Sequence, residues 1–373
     1  MKIYLDHSAT TPVDKQVLEA MQPYFSEKFG NASSLHSFGR EAKDALEKAR
    51  KEFAKFIGAK PAEIFFTSCG TESDNLAIKG INTKHIITSK IEHPAVLEAC
   101  SALEKKGTKI TYLSPNQEGL INPKDVESAI TKETGLVSIM HVNNEIGTIQ
   151  DIEAIGKICK KHKIYFHTDA VQSFAKILIN VRKMNIDLLS ASSHKIYGPK
   201  GVGLLYINQD VKIDPLLHGG GHEQGLRSGT ENIAGIVGFA RAIKIDQEEN
   251  RIKKLRDNLI DELLKIPGTR LNGSKENRIF HNVNISFKGV EGEALLIRLD
   301  DKGIAVSTGS ACSSKSLEPS KVLSAIGLKP EDSHGSLRIT LGKANKEEDI
   351  DYVINTIKEV VGSLRKLSPF KKW

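Results

Sequence analysis

Short apolar runs alternate with longer amphipathic segments through much of this chain. The short runs are rich in Ile, Val and Phe, which is typical of buried strands, whereas the longer segments have the period of helices. Two strands end near Thr168 and Ser190, and the other predicted strands are 63–67, 85–88, 109–113, 136–140 and 203–207. The helices predicted between them are 71–80, 94–106, 123–131 and 152–161.

This alternation predicts an α/β fold with a mostly parallel sheet covered by helices on both faces. Residues 203–207 predict a strand whose direction is open, with antiparallel pairing as one choice. Ligands of such sheets bind at the carboxyl ends of the strands. We therefore expect the catalytic and ligand-binding side chains among the residues that directly follow each strand.

The later part of the chain has a different pattern. A long amphipathic helix at 252–264 precedes three predicted strands, and the division of the chain is placed there. We predict a large domain at 13–250 and a smaller α+β domain formed by 1–12 and 251–373. The later strands are 282–287, 304–307 and 336–341, with helices at 291–300 and 346–364.

Composition and charge exclude several classes of protein. The hydrophobic content of 39% is ordinary for a globular chain, and no apolar run approaches the ~20 residues that a membrane span needs. The N-terminus lacks the apolar core of a signal peptide, so we expect a cytoplasmic protein with no membrane partner. The net charge of +7 is spread over amphipathic segments without a nucleic-acid-binding motif, so no direct nucleic-acid contact is predicted.

A carboxylate and a lysine follow neighbouring predicted strands. Asp169 comes after the run 164–168, and Lys195 comes after 186–190 and a Ser-Ser-His turn. A pyridoxal phosphate enzyme needs such a pair: the lysine forms a Schiff base with the cofactor, and the acid keeps the pyridine nitrogen protonated. Burial would lower the pKa of Lys195, and Lys200, in a Gly-Pro-Lys-Gly turn, is the exposed competitor.

A Gly-hydroxyl turn at 67–75 links a strand to a helix. Gly70 and Thr71 would present free N–H groups to a phosphate, and Thr71 with Asp74 predicts a capping box. An ordinary helix cap explains this turn equally well when it is taken alone. Ser192 and His194 are further candidate phosphate contacts.

Three polar side chains complete the predicted cofactor site. Gln172 and Asn144 are candidate donors to the ring hydroxyl of the cofactor, and His93 is a candidate for ring stacking and proton transfer. For any single histidine, a packing role is the stronger alternative.

Cys312 is the candidate nucleophile. Of the four cysteines it alone lies in a small polar loop, and none forms a C-x-x-C pair. A cysteine that merely happens to be in a loop remains an alternative. Arg338, in a predicted strand, suits a bidentate grip on a substrate carboxylate. In the glycine-rich segment 218–230, anion binding by Arg227 and Thr230 fits better than a metal site.

Together these motifs resemble the NifS/IscS-type cysteine desulfurases of the class V aminotransferase, pyridoxal phosphate fold-type I superfamily. The resemblance runs from the segment 4–12 through 30–34, 141–147 and 227–230 to the Cys312 loop and Arg338. It implies an aspartate aminotransferase-like fold with a seven-stranded sheet.

The resemblance also implies the reaction. L-cysteine would be converted to L-alanine by Lys195-bound pyridoxal phosphate, with Cys312 taking the sulfur as a persulfide and His93 as acid/base. Arg338 and Asn144 would bind the substrate. The implied cofactor contacts are Gly70, Thr71, His93, Asn144, Asp169, Gln172, Ser192, His194, Lys195 and Thr230.

Partners follow from the same resemblance. Thr230 would reach the phosphate of the cofactor in the other subunit of a homodimer. The loop around Cys312 resembles that of the desulfurases that pass sulfur directly to IscU/NifU-type iron–sulfur scaffolds. Other implied acceptors are those of tRNA thiolation and thio-cofactor synthesis. No resident metal is expected, and whether Cys312 transiently ligates an iron–sulfur cluster stays open.

Two alternatives stay open beside the desulfurase. An aminotransferase or selenocysteine lyase of the same fold would keep turnover without Cys312. A cofactor-free sulfur carrier would be colourless, and it would leave Asp169, Lys195 and Thr71 without a role.

Overall fold

The computed structural model describes residues 2–308 and 319–367. Its strands are β1 (Ile3–Tyr4), β2 (Ile64–Thr67), β3 (His85–Ser89), β4 (Lys109–Leu113), β5 (Thr134–Ser138), β6 (Tyr165–Asp169), β7 (Leu188–Ser192), β8 (Gly203–Ile207), β9 (Thr269–Leu271), β10 (Asn282–Phe287), β11 (Ile304–Ala305) and β12 (Ser336–Thr340).

The helices follow the predicted alternation. They are α1 (Lys15–Met21), α2 (Pro23–Ser26), α3 (Ser37–Ile57), α4 (Gly70–Lys79), α5 (Pro94–Glu104), α6 (Pro123–Ala129), α7 (Ile152–His162), α8 (Ile233–Ala242), α9 (Glu249–Leu264), α10 (Gly292–Asp301), α11 (Lys321–Ala325), α12 (Pro330–Ser333) and α13 (Glu347–Leu367).

Seven strands form the central sheet, in the order β2-β8-β7-β6-β5-β3-β4. Strand β8 is antiparallel to both neighbours, which settles the direction left open for 203–207, and the other strand pairs are parallel. The carboxyl ends of β3, β6 and β7 therefore meet at one edge, because parallel strands end on the same side. The predicted α/β fold is confirmed.

Apolar side chains cover both faces of this sheet. On one face, helices α3 and α8 pack through Phe53 and Phe239, whose ring centroids are 4.7 Å apart. On the other face, α4 and α5 contribute Leu76 and Val96. This packing on two sides holds the strand ends in fixed positions.

The later part of the chain builds a second sheet. Strands β12, β10 and β9 are antiparallel, and α9 and α13 pack against them in a hydrophobic cluster of their own. Leu5 belongs to this cluster, and Asp6 bridges to Thr340 beside β12. The division at residues 12/13 and 250/251 stays a prediction.

Two local expectations are corrected. Strand β11 ends at Ala305, because Ser307 pairs with Arg338 only through an isolated bridge. Strand β5 begins and ends two residues before the predicted range, although Ile139 and His141 still donate backbone hydrogen bonds to His167 and Asp169 of β6. Within the part of the chain that the structure describes, every helix is too short or too polar to cross a lipid bilayer.

Candidate active site

Lys195 lies in the short turn that follows β7, directed toward the N-terminal segment of the chain. Its Nζ atom donates to the carbonyl oxygens of Ser8 at 2.6 Å and Ala9 at 2.7 Å. The Nε2 atom of Gln172 donates to the same Ser8 oxygen at 3.0 Å. The tertiary fold thus brings together the predicted lysine and glutamine. Lys200 is exposed, as expected for the competitor.

Asp169 ends β6 and is almost fully buried. Its Oδ1 atom accepts the Val171 amide proton at 2.8 Å. Burial raises the pKa of the Asp169 carboxyl, while nearby His93 and Lys195 act in the opposite direction. The carboxylate, the imidazole and the lysine are therefore close enough to interact electrostatically, at the strand edge where ligands bind.

His93 has a structural role as well as a candidate chemical one. It is the N-cap of α5, and its Nδ1 atom accepts the Ala95 amide proton at 3.1 Å. Burial lowers the pKa of His93; Asp169 opposes this change and Lys195 adds to it. The neutral ring therefore carries its proton on Nε2, which is the nitrogen left to exchange a proton with a ligand.

The turn before α4 departs from the predicted capping box. Cys69 is the N-cap and makes no side-chain cap, so the prediction that Thr71 and Asp74 form one is wrong. Asp74 is buried, where it cannot reach the start of the helix. Instead, the Glu72 carboxylate accepts the Ser68 amide proton at 2.8 Å. A carboxylate within the first turn fits the positive end of the helix dipole.

The start of α4 fits a phosphate group. A Cβ added to Gly70 would lie 2.7 Å from Val171 Cγ2 and 3.6 Å from Ser192 Cβ. The start of α4 therefore packs against the residues that follow Asp169 and against the end of β7. The Ser192 Oγ atom is buried without a hydrogen-bond partner among the described residues. Free helix N–H groups and an unpartnered hydroxyl are donors that suit an anion. Thr71 lies exposed on the first turn.

His194 sits beside Lys195 and faces the N-terminal segment. Its Nδ1 atom is 3.2 Å from Thr10 Oγ1. Burial lowers the pKa of His194 to about 4, with the positive charges of Lys195, Lys200 and Lys176 acting in the same direction. The ring is therefore neutral at pH 7 and would contact a phosphate through a neutral hydrogen bond.

Arg338 joins the two sheets at the site. It is buried in β12, where its Nη2 atom donates to Asp6 Oδ1 at 2.8 Å and its Nη1 atom to the Asn144 carbonyl oxygen at 3.1 Å. Its Nε atom is buried and has no partner among the described residues. This guanidinium keeps a donor for a carboxylate, and its contact with the Asn144 backbone brings both predicted substrate residues together.

The glycine-rich segment forms ion pairs with other parts of the chain. Arg227 binds the Glu72 carboxylate, with Nε and Oε1 2.8 Å apart, and its role in binding an anionic ligand stays a prediction. Glu223 forms a buried ion pair with Arg50. Thr230 is exposed, and no described hydrogen bond joins it to the other site residues. No group of three or more His, Cys, Asp or Glu side chains within 2–308 and 319–367 could hold a metal ion.

The predicted nucleophile Cys312 lies outside the described residues. Two other cysteines, Cys100 and Cys159, are buried, and burial raises the pKa of each thiol to about 12. They are packing residues, as predicted.

Sequence reasoning missed the contribution of the N-terminal segment. Asp6 positions Arg338, the Ser8 and Ala9 carbonyl oxygens hold Lys195, and Thr10 contacts His194. Backbone oxygens leave no mark in a sequence. The run of small and polar residues after Leu5, which is part of the segment 4–12 that carries the resemblance, was the signal that this segment enters a site.

Comparisons with known proteins agree with this geometry. The family model "Aminotransferase class-V" matches residues 3–353. "Cysteine desulfurase IscS" of Dictyoglomus turgidum is 53% identical over 383 aligned positions, covering 100% of this chain and 97% of the relative.

Two solved structures are also similar to this chain. A "NifS-like protein" has a TM-score of 0.91 and 41% identity over 97% of this chain and 100% of its own. "SspA in complex with cysteine" has a TM-score of 0.83 and 41% identity over 91% of this chain and 98% of its own. The chain therefore belongs to the class-V aminotransferase family and, within it, to the IscS-type cysteine desulfurases, which depend on pyridoxal phosphate.

Proposed function

We propose that this enzyme takes the sulfur atom from L-cysteine, leaves it as a persulfide on Cys312, releases L-alanine and passes the sulfur to acceptor proteins. One observation carries the proposal: His93, Asp169 and Lys195 follow or end three parallel strands whose carboxyl ends lie on the same side of the sheet, and Lys195 and Gln172 donate to the same Ser8 carbonyl oxygen. Relatives named as cysteine desulfurases, and one neighbour bound to cysteine, support the substrate.

When bound, pyridoxal phosphate supplies an electron sink for the substrate carbon. In the proposed arrangement Lys195 holds the cofactor and Asp169 holds its ring nitrogen. The start of α4 at Gly70 and Thr71, with Ser192 and His194, binds the phosphate. Gln172 keeps one amide hydrogen for the ring hydroxyl, since the other is given to Ser8.

His93 is proposed to stack on the ring and to move protons. Its Nδ1 atom is fixed by the Ala95 amide, which leaves Nε2 to hold a proton near the reacting atoms. Burial favours the neutral imidazole, whose Nε2 proton is available for exchange with a ligand.

Substrate is proposed to enter between the two sheets. The Arg338 guanidinium, held by Asp6 and by the Asn144 backbone, binds the α-carboxylate of the substrate. The Asn144 side chain, buried beside it, orients substrate and cofactor together.

A homodimer is part of the proposal. Thr230 is exposed and stands apart from the other phosphate-binding residues, which fits a contact to the cofactor of the partner subunit. The segment 25–38 also exposes large apolar side chains that a second copy would cover, namely Phe25, Phe29, Leu35 and Phe38.

Sulfur transfer to an IscU/NifU-type scaffold rests on the sequence around Cys312. A small polar loop lets a thiol meet first the substrate and then an acceptor. Thiol chemistry of this kind needs a reducing compartment, which supports a cytoplasmic location; the described cysteines Cys69, Cys100 and Cys159 are free thiols.

The test is a visible spectrum of the purified protein before and after adding L-cysteine, with alanine and sulfide measured in the same tube under reductant. We expect a yellow protein whose band changes while both products rise together. Lys195→Ala should abolish the lysine-linked band, and Lys200→Ala is its exposed control.

Two variants separate the alternatives. Cys312→Ala should keep the band and lose persulfide, whereas Cys69→Ala, which removes the other cysteine at the strand edge, should keep both. Turnover by Cys312→Ala would favour a lyase or aminotransferase, and a colourless protein that cannot be reconstituted would favour a sulfur carrier.

A further inference from the structure

Three buried basic side chains surround a small cavity beside Lys195. His7, Lys176 and His281 line this cavity together with Lys195. Both ring nitrogens of each histidine, and the Nζ atom of Lys176, are buried without a hydrogen-bond partner among the described residues. Buried polar atoms in proteins are normally paired, so a cluster of this kind needs an explanation.

Among the residues that the structure describes, none that lines this cavity carries a carboxylate. The groups that face Lys176 come from three parts of the fold: His7 and Thr11 from the N-terminal segment, Lys195 and Tyr197 from the turn after β7, and His281 and Gln247 from the later part of the chain. Any positive charge here is therefore opposed by other basic groups and balanced by no acid in the cavity.

The two histidines cannot carry that charge at neutral pH. Burial lowers the pKa of His7 to about 4, and it lowers the pKa of His281 well below the usual value. Burial lowers the pKa of Lys176 to about 7, with Lys195 adding to the change. Lys176 is thus the group whose charge can vary around pH 7.

The described groups around Lys195 act on its charge in opposite directions, and the nearby Asp169 carboxylate favours the protonated amine. The Ser8 and Ala9 carbonyl oxygens accept hydrogen bonds from its Nζ atom, which favours the protonated amine. A second ammonium across the cavity disfavours it, because like charges in a poorly solvated space repel. A neighbouring cation is one of the known ways to activate a nucleophilic lysine.

We propose that Lys176 is a positioning residue that acts through Lys195, its ammonium disfavouring a proton on the Lys195 nitrogen and so keeping that nitrogen reactive near neutral pH. This inference rests on the proposed function, since it requires Lys195 to be joined to the cofactor.

The test is a pH titration of the visible band of the loaded enzyme, which changes as the Lys195 nitrogen gains or loses its proton. Lys176→Met should move the midpoint upward by about 1 pH unit or more, in the range that a close charge produces. Lys176→Arg keeps the charge and should leave the midpoint near that of the unaltered protein. Lys183→Met, an exposed charge change in the same segment, is the matched control and should leave it unmoved.

An unmoved or lowered midpoint in Lys176→Met would overturn the inference. An unaltered protein without a lysine-linked band would instead overturn the proposed function, so the two failures are distinguishable. Unfolding in urea supplies a second readout: Lys176→Met should be more stable than the unaltered protein at pH 7, with the difference shrinking toward pH 10, because the unfolded lysine binds a proton that the folded one releases. If Lys176→Met and the unaltered protein are equally stable at both pH values, burial does not disfavour the charge of Lys176 and the inference fails.

Discussion

Arg338 and Asp6 form an ion pair that joins β12 to the segment after β1, with Nη2 and Oδ1 2.8 Å apart. Only 4% of the arginine side chain is exposed, so its charge relies on Asp6 rather than on water. The pair fixes the guanidinium where the Asn144 carbonyl oxygen also accepts from it.

Replacing Asp6 by Asn should weaken substrate binding. The amide keeps the shape and one acceptor but removes the charge that orients Arg338, so we expect KM for L-cysteine to rise about tenfold with a smaller change in kcat. Steady-state kinetics measure the split. Asp14→Asn is the control, because Asp14 pairs with Lys343 away from Arg338 and Asn can still cap α1. Equal KM values in the two variants would show that Asp6 does not orient the arginine.

Two substitutions separate the helix-capping role of His93 from its proposed role in proton transfer. Asn caps helices well but exchanges no proton, so His93→Asn should keep the melting temperature while kcat falls about 10²- to 10⁴-fold. His93→Ala loses both roles and should also lose about 1 kcal/mol of stability. Since burial lowers the pKa of His93, the acidic limb that it contributes to kcat/KM should lie below pH 6.5. Retained turnover in His93→Asn would remove His93 from the proposed mechanism.

Glu92 gives the fold a pH dependence. It is buried behind Asp169 and accepts the Met140 amide proton, and burial raises the pKa of its carboxyl to about 8. The folded protein thus holds a proton that the unfolded chain releases above about pH 4.5, so this group's contribution to stability falls as pH rises from there to about 8. Glu92→Gln removes the effect.

Urea unfolding at pH 5 and pH 8 tests this expectation. The stability of Glu92→Gln relative to the unaltered protein should improve by roughly 2–4 kcal/mol over that interval. Glu104→Gln, at the exposed end of helix α5, which begins two residues after Glu92, should give no such trend. A parallel pH response in both variants would contradict a protonated Glu92.

Glu223 stabilises the glycine-rich segment through a buried pair with Arg50. Its carboxylate accepts from both guanidinium nitrogens at 2.9 and 2.8 Å and from the Phe66 amide at 2.9 Å. Glu223→Gln leaves the buried Arg50 charge with only the partly exposed Glu47 carboxylate as a partner, so we expect a loss of about 3–5 kcal/mol in the free energy of unfolding.

A matched variant is available on the same arginine. Glu47 also pairs with Arg50, but 43% of its side chain is exposed, so Glu47→Gln should cost about 1 kcal/mol or less. Similar losses from the two substitutions, measured by urea unfolding, would mean that burial does not set the strength of this pair.

Hydrophobic periodicity along the chain predicts the strand–helix alternation and identifies the residues that follow each strand. Asp169 and Lys195 could be predicted at one edge of the sheet because parallel strands end on the same side, a local property of hydrophobic period and chain direction. The antiparallel course of β8 could only be left open, since pairing direction depends on a neighbour distant in the chain.

Contacts between distant segments of the chain could be identified only from the tertiary fold. Asp6 meets Arg338 across 332 positions, and Lys176 shares a cavity with His7 and His281. The capping box predicted at Thr71 is absent, because α4 begins at Gly70 with Cys69 as its N-cap, so that Thr71 and Asp74 both lie inside the helix. Local patterns report which face of an element is buried, whereas the partner on the other side of a buried contact is set by how the two sheets pack.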